Sequence, residues 1–269
     1  MNINQYRYYK GAWIFLEENK ETLLSKEESK QLLKKGGLMV RNIYDFDCKE
    51  ETSFWFVIKA KIEDISELPF SARRNIRRAL RFYNIKKINL KEFSEIAFPI
   101  ITSSQQSYKI KCNVINKKEF DEMIRNYENE SDKEFWAVER KDNKEIVAIS
   151  INRIKNDSCE YDDMKCKTEA LKDRTYPYYG LIFTMNKHYL EEKKLKYVSD
   201  GSRSMTEHSN IQEFLMHNFG FRKAFCKIHI FYKWWFFVVI KSLFPLRNHI
   251  KNRNIRAILK MEEHSRNFR

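Results

Sequence analysis

The side chains best suited to chemistry lie between Tyr197 and Tyr232 (YVSDGSRSMTEHSNIQEFLMHNFGFRKAFCKIHIFY). Asp200, Ser202, Arg203, Glu207, His208 and Asn210 fall within eleven residues, and no other stretch crowds so many reactive groups between two regular elements. His208 can serve as a base near neutral pH without any perturbation. Asp200 stands at the end of an expected strand, before a crossover, where carboxylates commonly face a cleft. Arg203 suits an anion. Asn210 stands where a helix would start and is expected to cap it. Glu139, Asp162 and Asp163 are competing bases, but their places on strands predict ion pairing to a basic surface. His188 and His217 fall in helical stretches, and Cys226 on a strand is expected to be packed.

The elements that must position this loop follow from periodicity and turn signals. Residues 135–141, 145–154 and 159–166 read as three strands joined by the turns Asp142-Asn143 and Asn156-Asp157. A helix is expected from about Tyr178 to Lys194, a short strand over 196–199, a helix over 210–218 and a strand over 224–232. A meander followed by two helical crossovers makes a mixed, mostly antiparallel central sheet with flanking helices, an α/β (α+β) class. Further upstream, Lys20–Lys35 reads as a solvated helix, and 38–46, 52–60 and 84–90 as strands. A seam between 110 and 132 divides an N-terminal α/β region (1–130) from a core (131–233), followed by an aromatic and basic tail (234–269).

The chain has 269 residues, an apolar fraction of 42% and a formal charge of +14, which calls for an anionic partner. The charge is densest in SARRNIRRALRF, where Ser71 is the expected N-cap and Ala72, Ile76, Ala79, Leu80 and Tyr83 the inner face. Arg73, Arg74, Arg77, Arg78 and Arg81 cover the rest, and no acid occurs between Glu67 and Glu92. Guanidinium forks at this density match phosphate oxygens, unless acids elsewhere in the fold pair with them. Five widely spaced cysteines, an odd number with no CxxC, argue against a disulfide framework and a zinc site. Reduced thiols and the lack of a signal-like segment predict a cytoplasmic protein. The tail stretch YKWWFFVVIKSLFPL is too short and interrupted to span a bilayer, and with the basic residues after it suits attachment to an anionic membrane face.

The element order over 135–232, with the Gly-Phe turn in FLMHNFGF, resembles the core of GNAT-type N-acyltransferases. The SARRNIRRALRF segment is similar to a basic helix of Fem-type aminoacyl ligases, which pair two such units. The resemblance implies acyl transfer to an amine, with acyl-CoA or aminoacyl-tRNA as co-substrate and no metal. It implies that a strand at Val147–Ile151 splays from its neighbour, so that Ile149, Ser150 and Ile151 meet the donor arm. It places the donor phosphates at the following helix N-terminus, where Arg174, Tyr179 and Gly180 stand, with Asn210 also on the donor side. The usual glycine-rich phosphate loop is absent, and Met216 replaces the family's frequent acid tyrosine. Amine acylation needs a base and oxyanion donors; Asp200 and His208 are the catalytic candidates. The element order, the polar loop and the two basic surfaces suggest as acceptor an amine on a cell-envelope sugar or peptide precursor, one that is lipid-linked if the tail holds the chain at the inner membrane face. A second class stays open: a non-catalytic binder of RNA or anionic membrane acting through its basic surface.

Overall fold

The computed structural model describes residues 6–9, 11–15, 23–61, 64–108, 113–203 and 210–266. The chain divides into two compact units. One comprises Met1–Phe56, Ser202–Ser209 and Lys223–Arg269, and the other Val57–Gly201 and Asn210–Arg222. The stretch 110–132, where a seam was expected, lies within the second unit.

In chain order the elements begin with β1 (Tyr6–Tyr9), β2 (Ala12–Phe15), α1 (Lys26–Lys34), β3 (Met39–Tyr44) and β4 (Phe54–Lys59). Then come α2 (Phe70–Phe82), β5 (Tyr83–Ile88), α3 (Leu90–Gln106) and α4 (Lys117–Glu128). The meander is β6 (Lys133–Arg140), β7 (Ile146–Ile154) and β8 (Ser158–Cys166). After a short α5 (Thr168–Lys172) follow α6 (Pro177–Lys187), β9 (Tyr197–Ser202), α7 (Ile211–Phe219), β10 (Arg222–Tyr232), α8 (Trp234–Leu243) and α9 (Arg253–Arg266).

Local chemistry explains where several of these begin. Helices α1, α3 and α4 each open on a reciprocal capping box, Ser25 with Glu28, Asn89 with Glu92 and Asn116 with Glu119. Each box satisfies two otherwise orphaned backbone donors. Helix α2 departs from expectation. Its cap position falls two residues before Ser71, at Pro69, with no side-chain cap, so the helix starts at Phe70 and Ser71 lies inside its first turn. Leu80 is exposed because only Ala72, Asn75, Ile76 and Ala79 face inward.

In the unit made of Met1–Phe56 and the C-terminal segments, β1 and β2 form an antiparallel hairpin. β2 runs parallel to β3, and β3 antiparallel to β10. Its core holds Tyr6, Leu24, Leu32, Leu33 and Val40. In the other unit β5, β6, β7 and β8 are successively antiparallel, and β9 runs parallel to β8. This is the expected mixed, mostly antiparallel sheet flanked by helices. Strand alternation sends Phe135, Ala137, Ile149 and Ile151 to one face, onto Phe93, Ala97, Ile100 and Phe120 of α3 and α4. Trp136 and Asn152 turn to the other face, where they meet Tyr189, just past α6.

That second face carries a buried polar network. The Tyr189 hydroxyl accepts from Trp136 Nε1 at 2.8 Å and Asn152 Nδ2 at 3.1 Å, and donates to Glu134 Oε2 at 3.0 Å. Ser150 Oγ donates to Asn152 Oδ1 at 2.7 Å. Burial works against the Glu134 charge, but hydrogen bonds from Lys193, Lys87 and Tyr189 hold its pKa below the usual carboxylate value.

Candidate active site

The candidate site lies where β8 and β9 part. Their parallel pairing covers only Ser158–Glu160 against Tyr197–Ser199. Beyond Glu160 the β9 side of β8 has no strand partner among the described residues, while its other side stays paired to β7 as far as Cys166. The Lys167 N–H bonds to the Val147 carbonyl at 2.8 Å, which fixes the alternation. Peptide groups of Lys165 and Asp163 therefore point to β7, and those of Met164 and Cys166 point into the opening. The Tyr178 hydroxyl, from the first turn of α6, donates to the Met164 carbonyl at 3.4 Å. Burial drives the Tyr178 pKa well above its ordinary value, so it stays protonated.

This geometry corrects the donor-strand expectation. Ile149, Ser150 and Ile151 lie on β7, which is laddered to β6 on one side and β8 on the other. Their main-chain groups are committed, the two isoleucines are core side chains, and Ser150 belongs to the buried network. The strand with an open edge is the next one, β8.

Asp200 lies at the parting, near the end of β9. Burial pushes its carboxyl up from 3.8 to about 7, Gln212 of α7 opposes this with a hydrogen bond, and the nearby Glu160 charge raises it. Glu160 is ion-paired to Lys155 at 2.7 Å. Gly201, next to Asp200, has φ +78°, and a Cβ there would sit 3.1 Å from Glu160 Oε1. Only glycine lets β9 turn there under that carboxylate. Sequence reasoning missed Gln212, Glu160 and Tyr178. Gln212 and Glu160 carry no motif, and Tyr178 read only as part of an apolar stripe.

The remaining candidates separate. His208 and Glu207 lie outside the described residues. Asn210 occupies the N-cap position of α7 but makes no side-chain cap hydrogen bond. Tyr179 packs on Phe214 and Phe219 and donates from its hydroxyl to Asn218 Oδ1 at 3.1 Å, so it joins α6 to α7. Gly180 is a packing residue: a Cβ there would meet Ile85 Cδ1 at 2.7 Å and Ala79 Cβ at 3.0 Å. It lets α6 lie against α2 and β5, which displaces the phosphate-cradle reading. Arg174 is exposed, with φ 53°, just before α6. Arg203 falls in the first unit, where its guanidinium lies 4.1 Å from the Trp55 ring and donates to the Ser53 carbonyl at 2.8 Å. Cys159, Cys166 and Cys226 are buried and in no disulfide, and burial raises the first two thiols, so neither suits a nucleophile. No cluster that could hold a metal occurs among the described residues.

The arginine face of α2 has no acid partner among the described residues. Arg78 stacks near Phe82 and Arg73 near Phe70, and Arg74 reaches only Asn75 at 3.5 Å. Arg77, Arg78, Arg81 and Phe82 line a surface hollow. By contrast, Arg140 and Arg153 in the meander are each bound to carboxylates.

No family model and no curated protein matches the sequence. Among solved structures, the crystal structure of FemX is similar at a TM-score of 0.52 and 11% identity, over 81% of this chain and 81% of that chain. L-PGS from Bacillus licheniformis is similar at 0.47 and 11%, over 88% and 83%. The C-terminal domain of a putative lysylphosphatidylglycerol synthetase from Agrobacterium fabrum is similar at 0.46 and 9%, over 82% and 78%. The FemX likeness is one of fold, and at that level it matches the Fem-type, GNAT-like resemblance read from the sequence.

Proposed function

We propose that the chain is an N-acyltransferase that moves an acyl or aminoacyl group from a carrier to an amine. The observation that carries this reading is the Asp200 carboxyl, held at about 7 beside the opening between β8 and β9. The donor arm lies along the open edge of β8, using main-chain groups of Met164 and Cys166 in place of Ile149–Ile151. The amine nitrogen attacks the acyl carbonyl carbon, and its proton passes to the Asp200 carboxylate. The tetrahedral oxyanion then collapses, and the carrier leaves with a proton from Tyr178. His208 is the second candidate for the base. The donor is acyl-CoA or aminoacyl-tRNA, whose phosphates fit the unpaired Arg77, Arg78 and Arg81 and the exposed Arg174. The acceptor is an amine on a cell-envelope precursor.

A panel of acyl-CoA and aminoacyl-tRNA donors with amine acceptors tests the reading. Asp200→Asn should lower kcat by roughly 10²–10⁴. Wild-type rate should rise with pH and level off above about 7, since the base must be ionised. Full activity in Asp200→Asn with a lost rate in a His208 variant would transfer the role to His208.

One observation favours a second reading, a polyanion-binding protein without catalysis: the unpaired arginine face of α2. On that reading, Arg77→Gln with Arg78→Gln abolishes binding to tRNA, and Asp200→Asn changes nothing measurable.

A further inference from the structure

Helix α8 is a surface that the chemistry at Asp200 does not use. Its sequence, WWFFVVIKSL, is apolar on almost every side, a pattern that belongs inside a core or against lipid. Yet Ile240 is its only buried residue, while Trp234 is 79% and Val238 54% exposed. Trp235 and Val239 are exposed beside them, and the i, i+1, i+4, i+5 spacing puts all four on one face. Leu246, in the 3₁₀ turn Phe244–Leu246, extends the apolar surface.

Charge indicates what covers this face. No Asp or Glu occurs between Glu213 and Glu262, and ten Lys and Arg do. Lys241, Lys251 and Arg253 are exposed and have no acid partner among the described residues. A second copy seated on α8 would bring the same positive charges to a self-complementary contact, which disfavours it. An anionic lipid surface accepts both features: tryptophans at the headgroup level and lysines on the phosphates. The helix has 10 residues and so spans about 15 Å, too short to cross a bilayer. No helix among the described residues is long and apolar enough to do so.

We propose that α8 lies in the plane of an anionic membrane surface, with Trp234, Trp235, Val238 and Val239 at the acyl boundary. Lys241, Lys251 and Arg253 then contact lipid phosphates. Co-sedimentation of the full chain with vesicles tests this, using phosphatidylcholine alone and an equimolar mixture with phosphatidylglycerol. Binding should favour the anionic vesicles and fall with added salt. Trp234→Ser with Val238→Ser, both at exposed positions, should weaken it by about tenfold or more. Lys241→Ala should weaken it by about fivefold. Circular dichroism checks that the variants fold. Absence of binding to the anionic vesicles overturns the proposal, as does binding undiminished by the double variant, which would assign attachment to basic residues elsewhere. A dimer in analytical ultracentrifugation that the double variant abolishes also overturns it, in favour of a second copy.

Discussion

At the scale of single residues, Asp200 and His264 are held in protonation states that cost stability, with opposite signs. The folded-state pKa of Asp200 is raised from 3.8 to about 7, so folding favours its protonated form. Its cost is absent below the unfolded value and complete above about 7. Asp200→Asn should therefore stabilise the protein at pH 8 by up to about 4 kcal/mol, and by nothing near pH 3.5. Buried His264 is lowered from 6.5 to about 4, mainly by burial with Arg203 and Lys260 adding to it. Its contribution is intact above 6.5 and is lost as pH falls through 4. Urea denaturation of both proteins across pH 4–8 checks the signs. In the wild type the two slopes oppose each other between 4 and 6.5, and Asp200→Asn should unmask a stability that rises with pH there. The sequence marked Asp200 by its place at a strand end. It gave no sign of the burial that changes its pKa, because that comes from chain segments distant in sequence.

At the scale of elements, α6 and the meander define the frame. Gly180→Ala puts a methyl 2.7 Å from Ile85 Cδ1, and should destabilise by about 1–3 kcal/mol despite the better helix propensity of alanine. If Gly180 only packs, the folded fraction keeps its transfer activity, which a thermal melt combined with an activity assay can separate. Tyr189→Phe leaves the Trp136 and Asn152 donors and Glu134 with one partner fewer, and should cost about 1–3 kcal/mol by chemical denaturation. The meander, both crossovers and the Gly-Phe turn were legible because alternation, paired turn residues and helical spacing are local signals. The choice of splayed strand was not. Val147–Ile151 and 159–166 alternate alike, and which edge stays open depends on where β9 diverges, a non-local fact. The hairpin of β1 and β2 was also missed, since AWIF and YRYY are short and carry no clear turn pair.

At the scale of the whole molecule, the surplus positive charge is segregated. Carboxylates in and beside the meander (Glu130, Asp132, Asp162 and Asp173) pair with Lys133, Arg140 and Arg153, while α2 and α8 contain no acid of their own. Binding of tRNA or polyphosphate should weaken steeply with salt, and Arg77→Gln with Arg78→Gln should reduce the logarithmic salt slope by about two, as a filter-binding titration can measure. The sequence showed this concentration of charge directly, but whether α2 was paired could be settled only by knowing where the acids lie. The three-rung pairing of β8 and β9 also bears on inhibition. A strand that loses its partner midway offers main-chain groups to any extended chain of matching register. Asp162 and Asp163 on this strand are already paired with Lys133 and Lys165, so the offer is one of main-chain groups rather than of charge. A short extended peptide of matching register should therefore be a starting point for a competitive blocker, one that needs no knowledge of the acyl group carried.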